Sequence, residues 1–191
     1  ITGYSTLFAI FIISANYLVS ISINEWMNYG MIMYPLTFLL TDILSEKYQK
    51  SEVFKIVRIG SIIAIVPTIL LAGWLIAIAS IATFVLMQHL DVSIFHYFKK
   101  KMAKQWWIRN NASTITAQFF DTIMFYMLAF LVLPTIAIFM LGASDEWYIM
   151  PVSQILTFIV IDYCVKVVLA LSDTPVFWFF AVRKKLAIYE R

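Results

Sequence analysis

Charged residues are scarce in this chain of 191 residues: only 13% are Asp, Glu, Lys or Arg, whereas 62% are hydrophobic. Soluble domains usually carry about 25% charged and about 45–50% apolar residues. A water-soluble fold of this length could not bury so much apolar surface, so part of its solvent must be lipid. No alternating strand pattern is present, and the composition therefore predicts an all-α membrane bundle.

Cysteine and histidine are nearly absent, with a single Cys164 and two histidines. One cysteine excludes a disulfide framework and a paired-cysteine metal site, and two histidines cannot complete a zinc site of the usual spacing. The sequence also lacks a phosphate-binding loop, a G-x-S-x-G nucleophile elbow and an H-E-x-x-H motif. We therefore expect no enzyme activity, no metal and no cofactor.

Long apolar runs are the main positive signal, since a bilayer core about 30 Å thick requires a helix of ~20 apolar residues. Charged residues divide the chain into six such runs, which predict one transmembrane domain over residues 1–191. The stretch between Arg58 and Asp91 has no charged residue; extended to Phe98, it is too long for one span and barely long enough for two. Basic residues lie on both sides of it and should share the cytoplasmic side, so we predict two spans that meet at Ala72-Gly73. The predicted spans are approximately residues 4–23, 26–45, 53–72, 74–98, 113–141 and 147–171.

The basic residues are placed asymmetrically between these spans, and cytoplasmic loops of membrane proteins are enriched in Lys and Arg. If both termini are cytoplasmic, six spans put all 14 Lys and Arg residues except Lys166 on the inner side. The predicted outer loops near Glu25 and at 142–147 contain acidic residues and no basic ones. Because the basic residues follow membrane topology, we expect no nucleic-acid partner and a multi-pass protein with cytoplasmic N- and C-termini.

Polar side chains recur inside the predicted spans at helical spacing. Ionisable groups in a bilayer cost ~2.5–3.5 kcal/mol each on insertion scales and usually face the bundle interior. Residues three, four or seven apart lie on one side of a helix, so these positions form stripes that would line one cavity for a small, flat, polar solute. The stripes are Thr114, Gln118 and Asp121; Gln88 and Asp91; and Asp162, Lys166 and Asp173.

The same residues also have a purely structural interpretation. Asp162 and Lys166 are spaced to form an ordinary i, i+4 ion pair that lowers the cost of insertion. Asp42 and Glu46 fall near the cytoplasmic end of the second span, where they would belong to a solvated helix end. Asp91 lies close to the inner boundary of the fourth span, where it would form a structural pair with another polar side chain. In that case the polar groups would hold helices together, and the chain would be a structural membrane protein.

Four strings match, in order, the motifs of one membrane protein family. They are residues 34–48 (YPLTFLLTDILSEKY), 88–95 (QHLDVSIF), 107–122 (WIRNNASTITAQFFDT) and Lys166 with 171–175 (LSDTP). Together they resemble the queuosine precursor transporter family from about residue 16 to 180. Gln49 and Leu75 depart from the pattern, which has glycine and arginine at these positions.

The resemblance implies import of 7-cyano-7-deazaguanine or 7-aminomethyl-7-deazaguanine, with queuine as a further candidate, across a bacterial inner membrane. The expected partners are this small-molecule substrate and the lipid bilayer. No ATPase subunit is expected, and a homo-oligomer is compatible with the sequence. The alternative is a substrate-binding subunit of an energy-coupling-factor-type vitamin transporter, since those subunits are also helical membrane bundles.

The deazaguanine implied by the resemblance presents a donor edge, made of a ring N–H and an exocyclic amine, and a carbonyl acceptor. A carboxylate can accept from both donors, and an amide or Arg can meet the carbonyl. We therefore predict that Asp121 and Gln118 read the base, with Tyr34 or Phe38 stacked on the ring. The other candidate binding residues are Thr37, Asp42, Gln88, Asp91, Arg109, Asn110, Asn111, Thr114, Lys166 and Asp173.

Overall fold

In a computed structural model, which describes residues 2–25, 27–102, 104–142 and 149–183, the chain folds into a bundle of helices. The first four helices are α1 (Thr2–Val19), α2 (Tyr29–Lys47), α3 (Lys50–Ala72) and α4 (Trp74–Lys101). The other three are α5 (Trp106–Met127), α6 (Leu133–Leu141) and α7 (Val152–Phe177). No β-strand occurs in these ranges, so the all-α prediction is confirmed.

Two π-helical turns interrupt the longest helices close to prolines. Leu128–Val132 joins α5 to α6 just before Pro134, and Trp178–Val182 continues α7 just after Pro175. Proline cannot donate the backbone hydrogen bond of a regular helix, and local π adjustments re-satisfy the groups that it leaves free. As a result, α5 and α6 form one continuous rod, and α7 extends through its π turn as another.

Within the described residues, five helices are long and apolar enough to cross a membrane: α1, α3, α4, the α5–α6 rod and the extended α7. Helix α2 is 19 residues long, but it carries Asp42, Glu46 and Lys47 and is not apolar enough to count as a membrane-crossing helix by composition. Six spans with cytoplasmic termini therefore stay a prediction.

The helices are connected by short links at both ends of the bundle. Gly73 alone joins α3 to α4; it has a φ of 76°, a region that favours glycine, and its N–H donates to the Ile69 carbonyl at 3.0 Å. At the opposite end, Gln49 and Glu52 form a capping box that starts α3 directly after α2. With the α5–α6 rod counted as one helix, the links between consecutive helices therefore alternate between the two ends of the bundle.

We call the end that holds Gly73 and the α1–α2 link (residues 20–28) the loop end. The opposite end, with Gln49 and the α4–α5 link (residues 102–105), is called the basic end, because Lys50 and Lys99–Lys101 lie there. The acidic residues of the loop predicted at 142–147 fall outside the described residues, as do the basic residues after Arg183.

Helix α2 lies at the centre of the bundle and contacts α1, α4 and α7. The core beside it contains Phe8, Phe38 and Phe84, all fully buried. Helices α1 and α3 approach closely at Gly60, where a Cβ atom would lie 2.9 Å from the carbonyl oxygen of Ser5. Small residues permit such close contact between membrane helices.

The outward-facing surface of the bundle is apolar. Leu70 is 80% exposed and Phe139 is 82% exposed. In water such side chains would be costly, whereas lipid tails are as apolar as they are. The surface therefore agrees with the composition in indicating a lipid environment.

Candidate functional site

A cavity of about 230 Å³ opens at the loop end and runs into the bundle. A single water molecule needs roughly 10–15 Å³ on this measure, so a small organic molecule has room. The cavity extends from the exposed residues Asn24 and Glu25 of the α1–α2 link to the buried side chains of Asp121, Asp162 and Lys166. We call these three side chains the floor of the cavity.

The floor is an ionic cluster shared by two helices. Lys166 Nζ lies 3.0 Å from Asp162 Oδ2 and 3.2 Å from Asp121 Oδ2, and it donates to Thr122 Oγ1 at 3.0 Å. The predicted i, i+4 pair of Asp162 and Lys166 is thus present, but α5 adds a second carboxylate to it. Asp162 Oδ1 has no hydrogen-bond partner in the described part of the chain.

Aromatic side chains form the wall above this floor. The ring of Tyr126 stacks on that of Phe158, with centroids 5.9 Å apart and planes 13° apart. Lys166 Nζ lies 5.6 Å from the ring centre of Tyr34. Such a wall can hold a flat ring by stacking and can face a cation. The aromatic residues that line the cavity are Tyr34, Phe125, Tyr126, Phe130 and Phe158.

A second buried polar network begins at Asp42, towards the basic end. Thr114 Oγ1 donates to Asp42 Oδ2 at 2.8 Å, and the Asp42 carboxyl lies beside that of Asp91. The expectation that Asp42 marks a solvated helix end is wrong, because only 1% of Asp42 is exposed. The reason is that α2 is central, so its polar end is covered by α4 and α5.

Gln88 extends this network between α4 and α2. Its Nε2 donates to Thr37 Oγ1 at 3.1 Å, and its Oε1 accepts from Thr41 Oγ1 at 2.8 Å. Gln88, Thr37 and Thr41 are fully buried, and none of them lines the cavity. In this conformation the network holds α2 against α4.

Glu46 and Arg109 form a buried ion pair at the basic end, which we call the clamp. Arg109 Nη2 and Nε lie 3.0 and 3.1 Å from Glu46 Oε2, and each residue is only 4% exposed. The expectation of a solvated end is therefore also wrong for Glu46. Lys99 Nζ donates to the carbonyls of Ser45 and Glu46 at 2.6 and 2.8 Å, which caps the C-terminus of α2.

Gln118 lies between the floor and the second network, on one face of α5. Thr114, one turn before it, reaches Asp42, and Asp121, one turn after it, reaches Lys166. Gln118 is fully buried, and neither atom of its amide has a hydrogen-bond partner among the described residues. It does not line the cavity beside Asp121.

The remaining candidates lie near the basic end. Asn110 is buried, while Asn111 accepts a hydrogen bond from Thr174 at 3.1 Å and so joins α5 to α7. The side chain of Asp173 is half-buried and makes no hydrogen bond or ion pair with the other described residues. Phe38 belongs to the core rather than to the cavity.

The structure thus divides the predicted stripes. Asp121 and Lys166 meet at the cavity, whereas Thr37, Asp42, Gln88, Asp91 and Thr114 meet in the second network. Asp162 belonged to one of the stripes predicted to line a cavity, but it was not named among the candidate binding residues because its i, i+4 spacing from Lys166 also fitted a structural ion pair. Phe130 and Phe158 had no such signal, because aromatic residues make up 17% of the chain.

Two comparisons with known proteins give matches to this chain. A family model described as "Putative vitamin uptake transporter" matches residues 28–75 and 66–180. A curated protein of Bacillus subtilis (strain 168), "Probable queuosine precursor transporter", is 29% identical over an alignment of 127 residues, which covers 53% of this chain and 56% of that protein. The chain therefore spans about half the length of this relative. No solved structure gives a significant match.

Proposed function

Because this chain belongs to the vitamin uptake transporter family, we propose that it imports a 7-deazaguanine precursor of queuosine through the cavity at the loop end. The chain is a multi-pass membrane protein, and the name of its curated relative supplies the substrate class. The candidate compounds are 7-cyano-7-deazaguanine, 7-aminomethyl-7-deazaguanine and queuine. The proposed location is a bacterial inner membrane.

The observation that carries this proposal is the polar floor beneath aromatic walls. A deazaguanine offers a ring N–H and an amine that one carboxylate can accept together, and a carbonyl that can accept from Lys166. Its flat ring suits the walls formed by Tyr34 and Tyr126. An apolar pocket with a few convergent polar groups is the usual form of a small-molecule site.

The two ends of the bundle support import rather than passive binding. The cavity opens at the loop end, whereas the clamp of Glu46 and Arg109 ties α2 to α5 at the basic end. The positive-inside rule assigns the basic end to the cytoplasm. We therefore infer a carrier that is open to the outside, in which release to the inside requires the clamp to break while helix groups rock about the site.

Complementation tests the proposed function. The chain is expressed in a bacterium that cannot make the precursor and lacks its own importer, 7-aminomethyl-7-deazaguanine is supplied outside, and queuosine is measured in tRNA. We expect queuosine to appear with the chain and to be absent with an empty vector. Absence in both would contradict the proposal.

A second host, which also lacks energy-coupling ATPase subunits, separates a carrier from a substrate-binding subunit. We expect the same queuosine level in this host, because the proposed carrier works without an ATPase. Loss of queuosine only in this host would support the alternative of an energy-coupling-factor subunit.

A further inference from the structure

The floor of the cavity contains more acceptors than donors. Lys166 is the only Lys or Arg among the described residues that line the cavity, whereas Asp121, Asp162 and Glu25 are all acidic. Lys166 can neutralise one carboxylate of the floor, so the other remains in excess. The buried Asp162 Oδ1, which has no partner among the described residues, is the atom on which this excess is most evident.

An excess carboxylate in a site sheltered from water favours a ligand that brings a positive charge. A buried charge without a partner is costly, and a hydrogen bond between two charged groups is roughly twice as strong as a neutral one. The aromatic wall adds to this preference, because the faces of Tyr34 and Tyr126 can attract an ammonium group. A neutral ligand would leave the excess carboxylate unpaired.

The two deazaguanine precursors differ in this respect. Both present one donor edge and one carbonyl, and their C7 substituent lies on the same side of the ring as the carbonyl. With an aminomethyl group, the donor edge, the carbonyl and the C7 substituent together make two donor groups and one acceptor, which match two carboxylates and one ammonium. With a nitrile, the same three positions make one donor group and two acceptors, so one carboxylate stays unpaired and Lys166 must serve both acceptors; the ring N9–H and N3 are the same in both compounds.

We propose that this cavity selects a deazaguanine bearing a primary ammonium group at C7 over one bearing a nitrile, with Asp162 as the residue that determines the choice. The inference rests on the proposed function and makes it more specific. Asp121 then accepts from the donor edge, Lys166 donates to the carbonyl in place of its hydrogen bond to Thr122, and the carboxylate of Asp162, which lines the cavity, turns to accept from the ammonium group.

The test is a competition between the two compounds for uptake by the full chain in the complementation host. The compounds carry different isotope labels and are supplied at equal concentration, so later conversion in the cell does not obscure the ratio. We expect the initial uptake ratio to favour the aminomethyl compound at least about tenfold, which corresponds to ~1.4 kcal/mol. A ratio of one, or a preference for the nitrile, would overturn the selectivity; uptake of neither compound would defeat the proposed function itself.

The substitution Asp162→Asn tests the assigned residue. We expect the ratio to fall about tenfold towards one while nitrile uptake continues, because Asp121 still pairs with Lys166. Asp162→Glu keeps the charge and should keep most of the preference, which provides a readout if the Asn variant does not accumulate. Gln154→Ala, at an exposed position on the same helix and outside the cavity, should leave the ratio unchanged. An unchanged ratio in Asp162→Asn would overturn the assignment.

Discussion

The ammonium group of Lys166 in α7 lies 3.2 Å from the carboxylate of Asp121 in α5, at the bottom of the cavity. This contact joins two helices at the point where a ligand would stop. Both side chains are more than nine-tenths buried, and Lys166 also pairs with Asp162, so removal of Lys166 alone would leave two carboxylates without a cation in a poorly solvated place. The same ion pair therefore contributes to stability and to the proposed binding site.

Removing the ammonium group should destabilise the bundle. In Lys166→Met, the carboxylates of Asp121 and Asp162 face each other without a cation, and breaking a buried ion pair costs roughly 3–5 kcal/mol. We expect a clear fall in the thermal unfolding midpoint in detergent. Lys104→Met, at an exposed position, is the control and should leave the midpoint unchanged. Equal midpoints for the two variants would show that the ion pair does not stabilise the fold.

The clamp should behave as a coupled pair. Glu46→Gln removes the carboxylate that forms an ion pair with the guanidinium of Arg109, and Arg109→Met removes the guanidinium from beside Glu46. When both are replaced, neither charge of this ion pair remains buried, so we expect the double variant to be less destabilised than the sum of the two single variants. The difference should be on the order of 1–3 kcal/mol, measured as a double-mutant cycle of unfolding. Additive effects would mean that the two residues act independently.

Replacement of Gln118 should affect thermal stability and substrate uptake in different ways. Its buried amide has no partner among the described residues, and an unsatisfied buried polar group costs roughly 1–3 kcal/mol. Gln118→Leu should therefore leave the unfolding midpoint equal or higher. If Gln118 binds substrate at another stage of transport, deazaguanine uptake should fall in spite of that stability. A lower midpoint would show instead that the amide stabilises the fold.

The contact between α1 and α3 depends on the absence of a side chain at Gly60. A Cβ atom there would lie 2.7 Å from Phe8 Cδ1 and 2.9 Å from the Ser5 carbonyl oxygen, so Gly60→Ala must separate the helices. We expect a loss of about 1–3 kcal/mol, as for other overpacked sites. Gly3→Ala, with nothing within 4 Å of its added Cβ, is the matched control and should not lower the unfolding midpoint.

The helical fold could be predicted from the sequence because apolar runs of membrane length leave the backbone few alternatives. The turn at Gly73 was also predictable, since the uncharged stretch is too long for one span and the basic residues on both sides of it require the chain to cross twice. The fifth span was predicted to begin at about residue 113, and the helix that contains this segment begins at Trp106. The sequence places Arg109 near water, and only the folded chain shows that Glu46 of a distant helix pairs with it and lets α5 begin earlier.

The candidate site was less predictable than the fold. Spacing showed that Thr114, Gln118 and Asp121 share one face of a helix, but seven residues of helix extend about 10 Å. One stripe can therefore serve two clusters, as Thr114 does with Asp42 and Asp121 does with Lys166. Periodicity gives the face of a helix and not the neighbour that each residue meets, so the single predicted chamber became a cavity and a separate network.

The most direct test of transport through this cavity is uptake by proteoliposomes that contain this chain as their only protein. Labelled 7-aminomethyl-7-deazaguanine is added outside without ATP, and the label inside is measured for the wild-type chain, Asp121→Asn and Gln154→Ala. We predict that the wild-type chain and Gln154→Ala take up the label, whereas Asp121→Asn remains in the membrane and takes up none. Wild-type vesicles that admit no label, or equal uptake with Asp121→Asn, would contradict transport through this cavity.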